Sequence, residues 1–345
     1  MILPIPHRTN RSRLPRPVSL SDSAATNHVL WTACCTLVLV LAVCSPPCEA
    51  AGVGNATAGD TADEVPVFTV TADGDMAFDT GVLEGRLNAA GRALGLTGVV
   101  HQPTGRRLSG GLGLMQPYRI FSGNHRFGDG ARDWKTSSRL LDDGAVEVRW
   151  QPPFDVPFEL SAVYRWHDAT TLDMHVGVRA VDDLPTFEVF LASYFYDGFA
   201  DPFVYVAEPD GGTTLMLGEE SMGSWLMSPR DAAAVTKIRD GRWRVPPSPV
   251  DWVLLPRLAG ALAVRRDRHS DLAAVVMAPK ADCFAVSMPY ARDAGHRSLY
   301  LSLLGCDIAA GQQAHARARL VIGDGLSDAD VVDDYHRYQE ESSQP

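Results

Sequence analysis

The stretch from Val146 to Phe199, VEVRWQPPFDVPFELSAVYRWHDATTLDMHVGVRAVDDLPTFEVFLASYFYDGF, decides the fold class of this chain. At its start, Val146, Val148 and Trp150 alternate with charged residues, and the same two-residue period continues through the runs that follow. Short polar turns join these runs. Alternation of this kind, with turns this short, predicts an antiparallel meander of half-buried strands. The run from Phe187 to Phe195 is apolar on both faces, which favours a position inside its sheet rather than at an edge.

Outside this stretch the signals for regular structure are weaker. Residues Val65 to Val70 predict a first strand, and Leu83 to Ala90 could form a short helix before a series of glycines. Short apolar runs after residue 200 predict further strands, and the proline-containing segment from Trp243 to Trp252 predicts a surface loop or the edge of a lid. Ser327 and the acidic residues after it predict the start of a closing helix from Asp328 to about Gln339. The sequence therefore predicts an all-β fold, with two large packed antiparallel sheets and a short C-terminal helix.

The first 50 residues differ from the rest of the chain. Four arginines precede an apolar run from Val29 to Val43, and the small-residue pattern Cys48-Glu49-Ala50 follows. This order is typical of a secretory signal peptide, and the run is shorter than the roughly 20 apolar residues of a membrane span. A retained membrane anchor and lipid attachment at Cys44 stay open as alternatives.

These features predict the domain organisation and the location of the protein. We expect residues 1–50 to be a signal peptide, residues 51–64 a flexible linker and residues 65–345 a single β domain. The protein would be exported to the periplasm, the cell envelope or the extracellular space. No stable membrane span is expected after processing.

Charge and cysteine content limit the partners. The formal net charge is −11 at pH 7, and loss of residues 1–50, with four arginines and two acidic residues, leaves about −13. Such a surface disfavours nucleic acid, whose binding rests on phosphate neutralisation, and it is compatible with neutral ligands such as sugars. Beyond residue 50 only Cys283 and Cys306 remain. They could form a disulfide in an exported protein or stay as two buried thiols. No metal site, cofactor motif or particular protein partner is predicted.

The elements of the opening stretch occur in an order that resembles the central region of the galactose-mutarotase-like (aldose 1-epimerase) superfamily. The residues that carry this resemblance are Ala162-Val163-Tyr164-Arg165-Trp166, Asp168, Leu172, Leu184-Pro185-Thr186 and Leu191-Ala192-Ser193-Tyr194-Phe195. The resemblance covers about forty residues. It implies a supersandwich fold, in which a ligand cleft lies on one concave face of two large antiparallel sheets.

The resemblance also implies what the chain lacks. In that superfamily a catalytic histidine precedes the Ser-Tyr-Phe sequence, and the corresponding residue here is Ala192. Mutarotation needs one group to donate a proton to the ring oxygen while a carboxylate accepts the anomeric hydroxyl proton. Ala192 cannot do this, and no residue after Asp282 clearly matches the late catalytic glutamate of the superfamily. The scaffold is therefore expected without its best-known reaction.

Several clusters of polar and aromatic side chains could face such a cleft. Sugars are bound by planar hydrogen-bonding groups together with aromatic rings that stack on the C–H face of the sugar. The predicted ligand-binding residues are Arg119, His125, Arg126, Trp134, Tyr194, Tyr196 and Asp197. The candidates for acid–base catalysis are His125, Asp197 and His296. The resemblance suggests that His125 and Trp134 are counterparts of sugar-binding residues. The structural alternatives are a loop held by Arg–Asp pairs, core aromatic residues and a solvated hairpin tip.

Three functions stay open at this point. The first is an exported carbohydrate-binding or accessory protein without mutarotase activity. The second is a carbohydrate-active enzyme, an epimerase, hydrolase or lyase, that uses His125 or His296 as its acid or base. The third is a structural protein of the cell envelope. Convergence of His125, Asp197 and His296 on one concave face would favour the enzyme, and a cleft lined by aromatic residues and arginines would favour binding.

Overall fold

Three β-sheets make up most of the part of the chain that the computed structural model describes, which is residues 65–89, 91–152, 155–290 and 296–344. The predictions for residues 1–50 and 51–64 lie outside these residues. We number the strands in chain order. The first sheet has five strands, in the order β1 (Thr69–Val70), β2 (Met76–Asp79), β3 (Leu83–Asn88), β4 (Gly95–His101) and β5 (Arg106–Arg107).

The other two sheets are larger. The second has nine strands, in the order β14 (Thr213–Leu217), β13 (Asp201–Ala207), β17 (Leu258–Arg266), β18 (Leu272–Met277), β21 (Gln313–Asp324), β11 (Thr171–Ala180), β10 (Phe158–Trp166), β9 (Val146–Gln151) and β8 (Lys135–Leu140). The third has seven strands, in the order β16 (Val253–Leu254), β15 (Leu226–Pro229), β19 (Cys283–Ser287), β20 (Ser298–Ile308), β12 (Leu184–Tyr194), β6 (Gln116–Ser122) and β7 (His125–Arg126). Within the described residues the strand pairs are antiparallel, apart from the short parallel pair of β15 and β16.

The main hydrophobic core lies between the nine-stranded and seven-stranded sheets and draws side chains from both. Along β10, alternate residues from Phe158 to Trp166 are buried, as the two-residue period predicts. The buried hydroxyl of Tyr164 donates a hydrogen bond to the carbonyl oxygen of Met115, 2.9 Å away, which satisfies its polar end. The predicted all-β class with large antiparallel sheets is confirmed.

Strand β12 is buried on both faces. Val189 and Leu191 join the main core, whereas Phe190 and Ala192 join a second apolar cluster on the outer face of the seven-stranded sheet. Strands β20 and β6 flank β12 on either side. The prediction that this strand lies inside its sheet is confirmed.

The N-terminal sheet is present in addition to the two predicted large sheets, and it corrects the prediction of a helix near residue 83. Leu83 and Leu87 are buried in β3, and Gly85 between them lies so close to the Phe78 ring that a Cβ atom there would be 2.8 Å from it. Gly85, inside the segment that was predicted to be helical, thus makes room for an aromatic residue of the neighbouring strand. The predicted first strand is also shorter than expected, because only Thr69–Val70 pair.

The closing helix forms where it was predicted. Helix α2 spans Asp328–Ser343 and begins with a capping box between Ser327 and Asp330. Its buried residues Val331, Tyr335 and Tyr338 cover the outer face of the nine-stranded sheet. No helix among the described residues is long and apolar enough to cross a membrane.

The outer face of the seven-stranded sheet is covered by a different set of segments. These are α1 (Ala232–Ile238), the 3-10 turn η3 (Arg242–Arg244) and residues 245–252, which we call the strap. Two other 3-10 turns lie at Ala131–Asp133 and Glu220–Met222. The strap corresponds to the predicted proline-containing loop, and it lies against the face to which Ala192 points.

Candidate functional site: an aromatic cavity under the strap

Three arginines hold the strap and the turn before it in place. Arg242 donates to Glu188 of β12 at 2.8 Å and also bonds to Asp240 and Thr186. Arg119 of β6 donates to the carbonyl oxygen of Ser248 at 3.0 Å. Arg126 of β7 donates to the carbonyl oxygen of Pro247. Ser248 has a φ of 56°, which is unusual for a residue other than glycine. The strap is therefore anchored to the sheet at Pro247 and Ser248, and the turn before it at Arg242.

Aromatic rings fill the space between the strap and the sheet. Phe190 of β12 stacks on Tyr300 of β20, with centroids 4.5 Å apart. Trp243 contacts the Phe190 ring edge-on at 4.7 Å, and Trp252 contacts Trp243 at 5.2 Å. Trp225 lies on the far side of Trp252, with centroids 6.0 Å apart. Edge-on and stacked ring pairs of this kind add to the stability gained from burial.

A cavity of about 250 Å³, which we call the aromatic cavity, lies next to these rings. Its walls are formed by Tyr118, Arg119, Phe190, Tyr194 and Tyr300 of the sheet, by Ser248, Pro249, Val250 and Trp252 of the strap, and by Trp225 and His296. The volume lies just below the usual range for small-molecule sites, roughly 300–1,000 Å³. The cavity is therefore suited to a ligand of about one ring.

Ala192 occupies the same face of β12 as two residues of this cavity. It lies between Phe190 and Tyr194 in the alternation of the strand and is fully buried. The position at which the sequence resemblance expects a histidine thus carries a methyl group on the face that the strap covers. No aspartate or glutamate is among the described residues that line the cavity.

His296 is the titratable imidazole that the cavity contains. Its Nδ1 lies 2.9 Å from the hydroxyl of Ser298, and its ring packs against Trp225 at 5.1 Å and Tyr194 at 5.8 Å. Burial lowers the pKa of His296, and the charges of Arg265 and Arg119 lower it further. The imidazole is therefore neutral at pH 7, with one ring nitrogen engaged by Ser298.

Two tyrosine hydroxyls complete the polar side of the cavity. The hydroxyl of Tyr300 lies 3.3 Å from that of Tyr194. Burial raises the pKa of both phenols, so each keeps its proton at neutral pH. They can donate to and accept from ligand hydroxyls but do not act as bases there.

The structure brings some of the predicted site residues together and separates others. Arg119, Tyr194 and His296 line the aromatic cavity, and the buried Arg126 supports the strap without lining it. The other four do not line it. His125 is exposed in β7 beside Phe127, and Trp134 is buried against Phe158. Tyr196 is exposed beneath Arg107. Asp197 is exposed and pairs with Arg297 at 3.1 Å. His125, Asp197 and His296 thus do not converge on the cavity.

Sequence reasoning missed both tryptophans of the site. In the sequence, Trp225 begins a short apolar run that predicts a strand, Trp252 ends the predicted proline-containing segment, and neither position has a motif around it. The sequence signal that could have identified Trp252 is its place in the predicted lid edge, because a lid positions its side chains over the face that it covers. Residues 291–295, which include the polar Arg292 and Asp293, lie outside the described residues.

The two cysteines are free in the structure. Cys283 is buried in β19, where its Sγ lies 3.1 Å from the carbonyl oxygen of Ala285, and Cys306 is exposed in β20. Cys283 pairs with Leu303 rather than with Cys306. The structure therefore shows neither the disulfide alternative nor a pair of buried thiols, since one side chain faces the interior and the other faces solvent.

Comparisons with known proteins found matches among solved structures only. No protein-family model and no curated protein matches the sequence. A galactose mutarotase-like protein from Lactobacillus casei is 12% identical, with a TM-score of 0.42, over 72% of this chain and 100% of that chain. A galactose mutarotase related enzyme from Lactobacillus acidophilus is 9% identical, with a TM-score of 0.44, over 74% and 99%. The alpha-N-acetylgalactosaminidase NagBb from Bifidobacterium bifidum is 11% identical, with a TM-score of 0.45, over 78% and 39%.

Galactose mutarotase-like proteins are thus among the solved structures to which this chain is similar, as the sequence resemblance predicted. At these identities and TM-scores the likeness assigns no reaction to this chain.

Proposed function

We propose that this protein binds a carbohydrate in the aromatic cavity and does not catalyse mutarotation. The observation that carries the proposal is the composition of the walls, in which Trp225, Trp252 and Tyr118 provide ring faces and Arg119 and Tyr194 provide hydrogen-bonding groups. Stacking rings with a few polar groups are what a sugar ring needs, because its C–H face is apolar and its rim is hydroxylated.

The absence of an acid–base pair supports binding over mutarotation. Ala192 has no proton to donate, and the described lining residues include no carboxylate to accept one. His296 alone could act as a base, but the reaction needs two groups on opposite sides of the anomeric centre. The proposal includes export, with residues 1–50 as a secretory signal, and this part rests on the sequence pattern alone.

The second candidate is an enzyme that uses His296 as its acid or base on a sugar substrate. The observation that favours it is the neutral imidazole in the cavity wall, held by Ser298 at 2.9 Å. A neutral imidazole at pH 7 is able to accept a proton. His125 has no such position, since it is exposed in β7 and does not line the cavity.

Calorimetric titration of the purified protein with mono- and oligosaccharides tests the proposal, with chromatography and polarimetry of the same mixtures to detect products. We expect binding without product and without faster anomer interconversion. Trp225→Ala should weaken binding at least about tenfold, a typical loss for a stacked aromatic contact. Tyr196→Ala, which removes an exposed aromatic residue outside the cavity, should leave it unchanged. Product formation that His296→Gln abolishes would favour the enzyme, and no binding of any sugar would refute the proposal.

A further inference from the structure

Three arginines near the aromatic cavity are buried but bond to carbonyl oxygens. Arg119 is 5% exposed, Arg126 6% and Arg265 1%. Their hydrogen-bond acceptors among the described residues are the carbonyl oxygens of Ser248 for Arg119, of Pro247 and Asp129 for Arg126, and of Phe199, Ala200, Pro289 and Ser298 for Arg265. Carbonyl dipoles satisfy the N–H groups, but they do not cancel a full positive charge.

Two other buried arginines among the described residues are paired differently. Arg242 lies 2.8 Å from Glu188, and Arg319 lies 2.7 Å from Asp173. A carboxylate therefore neutralises each of these two cations. Arg119, Arg126 and Arg265 differ in kind, because their hydrogen-bond acceptors among the described residues include no carboxylate, in a protein whose net charge is −11.

The interactions among these groups agree with this description. Burial lowers the pKa of Arg126, and the charge of Arg119 lowers it further, while Asp129 offsets part of the effect. Burial lowers the pKa of Arg265 to about 9, with a further contribution from Arg297. The cations of Arg126 and Arg265 are thus destabilised by their surroundings, and an anion placed nearby would stabilise both.

Arg119 is the member of this group that a ligand can reach, because it lines the cavity. Its guanidinium lies 5.3 Å from the centroid of Tyr118 and 5.5 Å from that of Trp243, which fixes its plane. One nitrogen bonds to Ser248, whereas the buried Nε has no hydrogen-bond partner among the described residues. A planar donor with an unused N–H group is well suited to a carboxylate, sulfate or phosphate group.

We propose that the ligand of the aromatic cavity is an acidic sugar, whose negatively charged oxyacid group pairs with Arg119 while its ring packs against the aromatic wall that Trp225 and Trp252 form. This inference rests on the proposed carbohydrate-binding function and narrows its ligand class. The shared chemistry is an oxyacid anion on a sugar ring, which is a carboxylate in a uronic acid and an ester in a sugar sulfate or phosphate. The cavity volume of about 250 Å³ limits the bound part to about one such ring.

Calorimetric titration with matched ligands tests the inference. D-galactose is compared with D-galacturonate, galactose 6-sulfate and galactose 6-phosphate, and inorganic sulfate is the control for anion binding without a sugar. We expect at least one acidic sugar to bind about tenfold or more tightly than galactose, since charge-assisted hydrogen bonds are roughly twice as strong as neutral ones. The three acidic ligands show which oxyacid group is preferred.

Equal or tighter binding of galactose would overturn this inference and leave the proposed function standing. Sulfate that binds as tightly as the best sugar would also overturn it, because the ring would then contribute nothing. Binding of none of these ligands by a protein that binds another neutral sugar of the panel would overturn the inference alone, whereas binding of no sugar in either set would remove the proposed function as well. These comparisons use the wild-type protein and decide the question even if a variant fails to fold.

Arg119→Gln separates the charge of Arg119 from its role in holding the strap. Glutamine keeps an N–H group that can donate to Ser248 but removes the positive charge. We expect the ratio of the affinity for the acidic sugar to the affinity for galactose to fall about tenfold. Arg139→Gln, at an exposed position of the nine-stranded sheet, is the matched control and should change neither affinity. Unchanged preference in a folded Arg119→Gln protein would overturn the assignment to Arg119.

Discussion

Glu188 Oε2 and Arg242 Nη1 lie 2.8 Å apart, and neither side chain is exposed to solvent. The pair joins β12 to the turn from which the strap begins, so it links the floor of the aromatic cavity to its cover. Arg242 also bonds to Asp240 and to Thr186, which completes its hydrogen bonding. Burial raises the pKa of Glu188, and the charge of Arg242 opposes this rise.

We predict that Arg242→Met destabilises the protein by about 3–5 kcal/mol, because it leaves the Glu188 carboxylate buried without its cation. Urea unfolding measures this loss. Arg244→Met removes an exposed arginine from the same turn and should change stability by less than about 0.5 kcal/mol. The penalty should shrink as pH falls, because the folded variant then binds a proton at Glu188 more readily than the unfolded chain does. A loss below about 1 kcal/mol at pH 7 would contradict the prediction.

The two thiols should differ sharply in reactivity. Cys306 is exposed, whereas burial raises the pKa of Cys283 to about 12 and shields its sulfur. We predict that iodoacetamide at pH 8 labels Cys306 in the native protein and labels Cys283 only after unfolding, since the thiolate is the reactive form. Peptide mapping by mass spectrometry gives the result. If both sites could be labelled only after reduction, the disulfide alternative would be correct and the free thiols wrong.

Strands β9, β10 and β11 of the opening stretch could be predicted because burial alternates along each of them. In β10 and β11 this period is visible in the sequence, since Phe158 to Trp166 and Leu172 to Val178 alternate with polar residues that face outward. Ser327 and Asp330 likewise predict the start of α2, because they form the capping box at its N-terminus. Such signals are local, so a single sequence contains them.

The N-terminal sheet and the cavity could not be predicted in the same way. In β3 the residue midway between Leu83 and Leu87 is Gly85, because the Phe78 ring occupies the space that a side chain would need there. The two-residue hydrophobic period is therefore interrupted in the sequence. The cavity is assembled from strands and loops far apart in the chain, such as Tyr118, Trp252 and His296. Alternation in the sequence shows which side chains share a face of the sheet, but it does not show which segment covers that face.

The contact between Gly260 and Tyr335 leads to a further prediction about how α2 docks. A Cβ atom at Gly260 would lie 2.3 Å from the Tyr335 ring, and the Tyr335 hydroxyl accepts a hydrogen bond from the Ala261 N–H at 3.1 Å. We expect Gly260→Ala to destabilise the protein by about 1–3 kcal/mol through overpacking, as measured by urea unfolding. Gly111→Ala is the control, because nothing lies within 4 Å of the added atom. Wild-type stability of Gly260→Ala would show that the helix can shift without cost.

Protonation of His296 links the ligand class to pH. The pKa of His296 is lowered by burial and by the charges of Arg265 and Arg119, so the imidazole is neutral in the free protein at pH 7. An anionic group bound beside Arg119 would offset these charges and raise that pKa. The complex then binds more protons than the free protein, so lowering the pH favours the complex. We predict that the affinity for D-galacturonate rises as pH falls from 7.5 to 5.5, a range in which its carboxylate stays ionised.

Calorimetric titration at several pH values measures this dependence, and two variants assign it. His296→Gln should make the affinity for D-galacturonate independent of pH over this range, because glutamine does not titrate. His125→Gln is the matched control, since His125 is exposed in β7 and does not line the cavity, and it should keep the wild-type dependence. The affinity for D-galactose should change little with pH, because a neutral ligand does not offset the arginine charges. A pH dependence that survives in His296→Gln would place the titrating group elsewhere.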